Sequence, residues 1–134
     1  MKTILLVDDE LYVLGALGAI VRELGYEVIT RFDAASALAV IREGKTIDIV
    51  LTDYRMPGMD SDEFMAKLKQ LLPTTPIIVL TGYSSVEVYI KALSHGAFEC
   101  LTKPVKVKDL DRALKSALEP SGVGNAMQRQ VLNY

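Results

Sequence analysis

Short apolar runs alternate along the chain with longer segments in which apolar residues recur every three or four positions. The runs Ile4–Val7, Val28–Thr30, Ile47–Leu51, Ile77–Leu80 and Phe98–Leu101 are bounded by polar or turn-forming residues, which predicts five strands. Between them lie amphipathic patterns. Leu14, Leu17, Val21 and Leu24 share one helical face, and Gly25 stands where a glycine stop belongs. Leu38 and Ile41 repeat after Asp33, a candidate N-cap, and Gly44 ends that segment. A third helix is expected from about Asp62, with Phe64, Leu68, Leu71 and Leu72 inward and Pro73 as its end. Ser84-Ser85-Val86-Glu87 reads as a capping box opening a fourth helix that closes at Gly96. Leu110, Leu114 and Leu118 mark a fifth helix, up to Pro120.

Five strand–helix repeats with nearly continuous apolar strands imply an α/β fold. Helical crossovers join strands in parallel, and right-handed crossovers cover both faces of the sheet. The expected architecture is a doubly wound five-stranded parallel sheet, a three-layer sandwich whose functional site lies beyond the carboxyl ends of the strands. Residues 1–119 read as one domain. Residues 120–134 change character, with Ser121-Gly122-Val123-Gly124-Asn125 as a linker, and read as a linker or C-terminal tail that could lead to an output domain absent from this chain.

Composition narrows the function. The chain has 134 residues, half of them hydrophobic, enough for one core of real size. Its net charge of −2 leaves no basic stripe for nucleic acid. A single cysteine, Cys100, excludes an internal disulfide framework and suits a reducing compartment. The apolar run at the N-terminus is too short for a signal peptide, and no stretch is long enough to span a bilayer. A cytoplasmic domain without membrane contact is expected.

The predicted strand ends carry the chemistry. The first strand runs into Asp8-Asp9-Glu10, the third into Asp53, the fourth into Thr81-Gly82 and the fifth into Thr102-Lys103-Pro104. If those strands are near neighbours, carboxylates, a hydroxyl and an ammonium meet in one pocket. Unit charges about 4 Å apart repel by about 4 kcal/mol at an effective dielectric near 20, so either one acid keeps a proton or a divalent cation binds. Oxygen ligands without histidine or thiolate favour Mg²⁺ or Mn²⁺. A carboxylate nucleophile with a metal and a lysine as charge clamps suits phosphoryl transfer to Asp53.

The stretches Leu5–Glu10, Leu51–Asp60, Val79–Gly82 and Gly96–Pro104 stand in this order, and together the chain resembles the receiver domain of a two-component response regulator over roughly residues 1–118. The resemblance implies a flavodoxin-like (βα)5 fold with strand order 2-1-3-4-5. It implies that Asp53 is the phosphoacceptor, served by a sensor histidine kinase, a phosphotransfer protein or a small phosphodonor. Asp9, Asp53 and the backbone carbonyl of Arg55 would ligate the metal directly, and Asp8 would act through water. Lys103 would pair with a phosphoryl oxygen, with a cis peptide bond to Pro104. Thr81 would turn toward the phosphoryl group and carry its arrival to the fourth helix and fifth strand. Arg55 and Tyr83, two positions after Asp53 and Thr81, flank the pocket and are expected to set the phosphoryl lifetime. Cys100 departs from the family, in which an aromatic ring usually stands three residues before the lysine and rotates as the threonine shifts. Ser61 is a second departure, at a position where glycine is common.

A phosphorylation-operated switch is therefore expected, with an effector or output domain as partner and dimerisation on phosphorylation as a common family outcome. A phosphorylation-independent interaction module is the alternative, disfavoured by the intact acids, Thr81 and Lys103. A Mg²⁺-dependent aspartyl-phosphate hydrolase would carry its nucleophile on the first strand and add a cap. A flavodoxin-like cofactor binder would need a phosphate-cradling loop where Asp8-Asp9-Glu10 stands.

Overall fold

A computed structural model describes residues 1–82 and 86–119. Strands and helices alternate: β1 (Thr3–Val7), α1 (Leu11–Glu23), β2 (Glu27–Arg31), α2 (Ala34–Arg42), β3 (Ile49–Asp53), α3 (Ser61–Leu71), β4 (Ile77–Thr81), α4 (Val86–Ser94), β5 (Glu99–Thr102) and α5 (Val107–Leu118). All strand pairs are parallel and the order is β2-β1-β3-β4-β5, as expected.

Period-two alternation sorts the strand side chains between two cores. Leu5 and Val7 of β1, Val50 of β3, and Ile77 and Val79 of β4 face α2, α3 and α4, where they meet Leu38, Phe64, Leu68 and Ala92. Ile4, Leu6, Ile49, Leu51, Ile78 and Leu80 face α1 and α5, against Leu14, Val21, Leu110 and Leu114. Because both faces are covered, β1, β3 and β4 contain almost no polar residue before their ends, which is why they read as unbroken apolar runs.

Local signals hold in detail. The Asp33 carboxylate accepts a hydrogen bond from the Ser36 backbone N–H at 2.8 Å and caps α2. Gly25 and Gly44 adopt φ of 104° and 86°, the left-handed conformation that ends a helix and that a side chain resists. Several boundaries differ from expectation, and β5 begins at Glu99 rather than Phe98. Ile47 precedes β3, because Asp48 turns aside to accept from the Thr3 N–H at 2.8 Å; the strand then runs on to Asp53. Leu72 is the C-cap of α3, not part of its last turn. Ser84 and Ser85, expected to cap α4, lie outside the described residues, as do Tyr83 and the tail from Pro120. Among the described residues, no helix is long and apolar enough to cross a membrane.

Candidate functional site

Register brings the chemistry together. Val7 pairs with Thr52 across β1 and β3, so Asp8, the next residue, stands beside Asp53. Asp53 is level with Leu80 of β4, and Thr81 is level with Thr102 of β5. Lys103 follows, its backbone N–H donating to the Thr81 carbonyl at 2.7 Å, and its peptide bond to Pro104 is cis. Adjacent strands lie about 4.8 Å apart, so Lys103 starts roughly 10 Å from β3, a gap that the four-carbon stem of a lysine bridges. Its Nζ reaches Asp8 Oδ2 at 2.8 Å and Asp53 Oδ2 at 3.1 Å, with Glu10 Oε1 at 3.9 Å.

Carboxylate oxygens of Asp8, Glu10 and Asp53 all lie within 4.8 Å of one another. Asp8 is fully buried and Asp53 nearly so, whereas Glu10 extends into solvent. A pair of unit charges at such a distance repels by about 3–4 kcal/mol at an effective dielectric near 20, and less where water screens Glu10. One ammonium serves three acids. Burial, chiefly, raises the Asp53 carboxyl above its ordinary value, with the Asp8 charge adding to it; the hydrogen bond and charge of Lys103 only partly offset this. Burial also works against the Lys103 charge, yet its bonds to Asp8 and Asp53 prevail and raise it above the ordinary lysine value. The two halves of the pair thus respond differently, because two acids divide one cation.

Asp9, expected to ligate the metal directly, has an exposed side chain and lies outside this carboxylate group, which Glu10 joins. Past the end of β1 the chain bends at Asp9 and brings position 10 back to the side of position 8. The Glu10 backbone N–H donating to Asp8 Oδ1 at 2.9 Å holds this turn.

The remaining site residues fall around this group. Thr81 is buried at the end of β4. Arg55 is exposed, and its backbone N–H points to Asp53 Oδ1 at 3.4 Å. Cys100 pairs with Val79 and packs partly buried on the α3–α4 side of the sheet. Met65 is buried in that core, with Met56 and Met59 packed on it, where the flexible methionine side chain fills irregular gaps. Ser61 has a role that reading it as a substitute for glycine missed: its Oγ donates to the Tyr54 carbonyl and ties α3 to the residue after Asp53.

The donor set fits a hard divalent cation, since it consists of oxygens alone, carries excess negative charge and includes a carboxylate open to water. A phosphoryl group beside Lys103 fits for the complementary reason.

Comparison with known proteins accords with this geometry. The chain is 40% identical over 115 residues to the transcriptional regulatory protein ZraR of Salmonella typhimurium, a match covering 86% of this chain and 26% of that protein. It therefore spans about a quarter of the length of such relatives. A response regulator receiver domain protein from Clostridium thermocellum is superimposable with a TM-score of 0.79 at 31% identity, each chain covered in full. A response regulator from Burkholderia pseudomallei, solved with a phosphorylated aspartic acid, a calcium ion and citrate, superimposes with a TM-score of 0.80 at 26% identity over 99% of this chain and 73% of that one. The family model of the response regulator receiver domain matches residues 4–115. With the acids of β1 and β3 and the lysine after β5 gathered at one sheet edge, the chain belongs to the response regulator receiver domains of two-component systems.

Proposed function

We propose that this domain is a phosphorylation-operated switch in which Asp53 accepts a phosphoryl group from a sensor histidine kinase or phosphotransfer protein, working in the cytoplasm. The observation that carries the reading is Asp53 at the end of a rigid buried strand, 3.1 Å from Lys103 and within 4.8 Å of two further carboxylates. An Asp53 oxygen attacks phosphorus, the P–N bond to the donor histidine breaks, and its electron pair returns to the imidazole, which takes a proton from solvent. Lys103 moves from Asp53 to a phosphoryl oxygen while keeping Asp8. Mg²⁺ or Mn²⁺, when bound, neutralises charge developing on the phosphoryl oxygens. Asp53, Asp8 and the Arg55 carbonyl would hold it, together with Asp9 by family resemblance or Glu10 by the present geometry. The Burkholderia response regulator, solved with a phosphorylated aspartic acid and a calcium ion, supports aspartyl phosphorylation and divalent-cation binding in this fold.

Phosphorylation adds about −1.5 to −2 charge and three acceptor oxygens. Thr81, buried at the end of β4, answers it with its hydroxyl. Arg55 and Tyr83 govern the access of attacking water: Arg55→Ala or Tyr83→Ala changes the dephosphorylation rate severalfold, and an unchanged decay in both removes that role. The output is a changed binding surface for an effector, a second copy or an output domain beyond residue 119. The deciding experiment is incubation with acetyl phosphate and Mg²⁺ followed by intact-mass analysis. One phosphoryl adduct on the wild type, absent from Asp53→Ala, is expected. No adduct on the wild type overturns the reading in favour of a phosphorylation-independent interaction module.

A further inference from the structure

A second polar cluster lies behind the acidic pocket. Tyr54, the residue after Asp53, has a buried ring, and its backbone N–H donates to the Leu80 carbonyl of β4 at 2.9 Å. Its hydroxyl donates to Asp62 Oδ1 at 3.2 Å, and its carbonyl accepts from Ser61 Oγ. The other oxygen of Asp62, Oδ2, faces α4. There it lies 3.4 Å from Lys91 Nζ and 3.7 Å from His95 Nε2, and the imidazole is oriented by a 2.8 Å contact between Nδ1 and the Lys91 carbonyl. One carboxylate therefore joins the phosphoacceptor's neighbour to the helix two elements further along the chain.

That helix buries few of its side chains fully. Among its residues only Ala92 is fully buried, while Val86 and Ile90 are exposed. A polar clasp is a larger part of what positions such a helix than it would be for α3, which buries Phe64, Met65 and Leu68. On the other side of β4, Cys100 provides no ring to couple the sheet edge to α4.

We propose that Asp62 is the positioning residue through which a change of charge at Asp53 reaches α4 in this chain. The proposal rests on the phosphorylation reading above for its physiological trigger. Tyr54 moves with the end of β3, Asp62 follows its hydroxyl, and Lys91 and His95 are drawn or released with the carboxylate. The clasp is partly exposed, as befits a contact that has to break and re-form, since exposed ion pairs are weak enough to exchange freely.

The test is amide hydrogen exchange over residues 86–94 of the full chain, with and without acetyl phosphate and Mg²⁺, in the wild type, Asp62→Asn and Tyr54→Phe. In the wild type, phosphorylation should change exchange in α4 severalfold. In Asp62→Asn the adduct on Asp53 still forms and the β3–α3 loop still responds, but the α4 response is lost; Tyr54→Phe, which keeps the ring, weakens it. A merely structural role would shift α4 equally in both states and leave the response intact. An α4 response in Asp62→Asn equal to that of the wild type overturns the proposal. If the wild type takes no adduct, the phosphorylation reading fails by itself, and the coupling is judged on Asp53→Asn. That variant should alter α4 exchange, whereas Asp53→Asn/Asp62→Asn relative to Asp62→Asn should not; no effect of Asp53→Asn on α4 overturns the coupling as well.

Discussion

Replacing Lys103 with methionine keeps the stem and removes the charge on which the acidic edge depends. Its Nζ lies 2.8 Å from Asp8 Oδ2 and 3.1 Å from Asp53 Oδ2, and the lysine side chain is only 17% exposed, against 0% and 11% for its partners. Removing one member of a buried pair strands the other and costs about 3–5 kcal/mol; with water able to enter beside the open Glu10, roughly 2–4 kcal/mol is expected here. At pH 7 the raised Lys103 is fully protonated. Its contribution is present below the ordinary lysine value and is lost only as pH rises through the folded one, so the loss can be read at neutral pH. A divalent cation binds the folded acids and not the unfolded chain, and it binds them more tightly once the competing ammonium is gone. A tenfold tighter affinity corresponds to about 1.4 kcal/mol, so Mg²⁺ should restore part of the loss in Lys103→Met and stabilise the wild type less. Urea unfolding followed by far-UV circular dichroism suits the measurement, because the chain has no tryptophan. Equal stability of the two proteins without metal, or equal stabilisation by Mg²⁺, would refute the reasoning.

The same edge yields a prediction of opposite sign. Burial raises the Asp53 carboxyl, so its ionised form weakens the fold above its folded pKa, and stability recovers as pH falls toward the ordinary carboxylate range. Asp53→Asn should raise the urea midpoint at pH 7, with the gain shrinking in acid; a lowered midpoint at pH 7 contradicts this. Asp9→Asn and Glu10→Gln distinguish the two possible cation ligands: calorimetric titration with Mg²⁺ should show about a tenfold loss for whichever acid binds, by the scale of losses seen when metal-site partners are removed. Equal affinity in both variants would dismiss an acid from this strand end other than Asp8. At Cys100, burial and then the Glu99 charge push the thiol from its ordinary 9.0 up to about 11. Iodoacetamide at pH 8 should therefore alkylate it about a hundredfold more slowly than a free thiol, with the rate still rising beyond pH 9; reaction at the free-thiol rate would show the site to be open.

Much of this molecule was determined by residue pattern alone. Runs such as Ile4–Val7 and Ile77–Leu80, short and bounded by polar or turn residues, read as strands buried on both faces, and Asp33 and Gly25 mark helix ends through bonds made within a few residues. Asp8, Asp53 and Lys103 could be placed at strand ends for the same reason, and parallel register then left them only one edge to share. Tertiary structure decided which side chains turn toward one another there. That Glu10 rather than Asp9 lies beside Asp8 and Asp53 follows from the direction of a turn past the end of β1, which a hydrogen bond to the Asp8 carboxylate holds. The Asp62 clasp was invisible for a different reason. Tyr54, Asp62, Lys91 and His95 are each ordinary in sequence, and only the packing of α3 beside α4 brings one carboxylate within reach of all three partners. Contacts within a turn or a strand are written in short-range periodicity, whereas contacts between helices depend on how the sheet beneath them twists and on which rotamers the core leaves open.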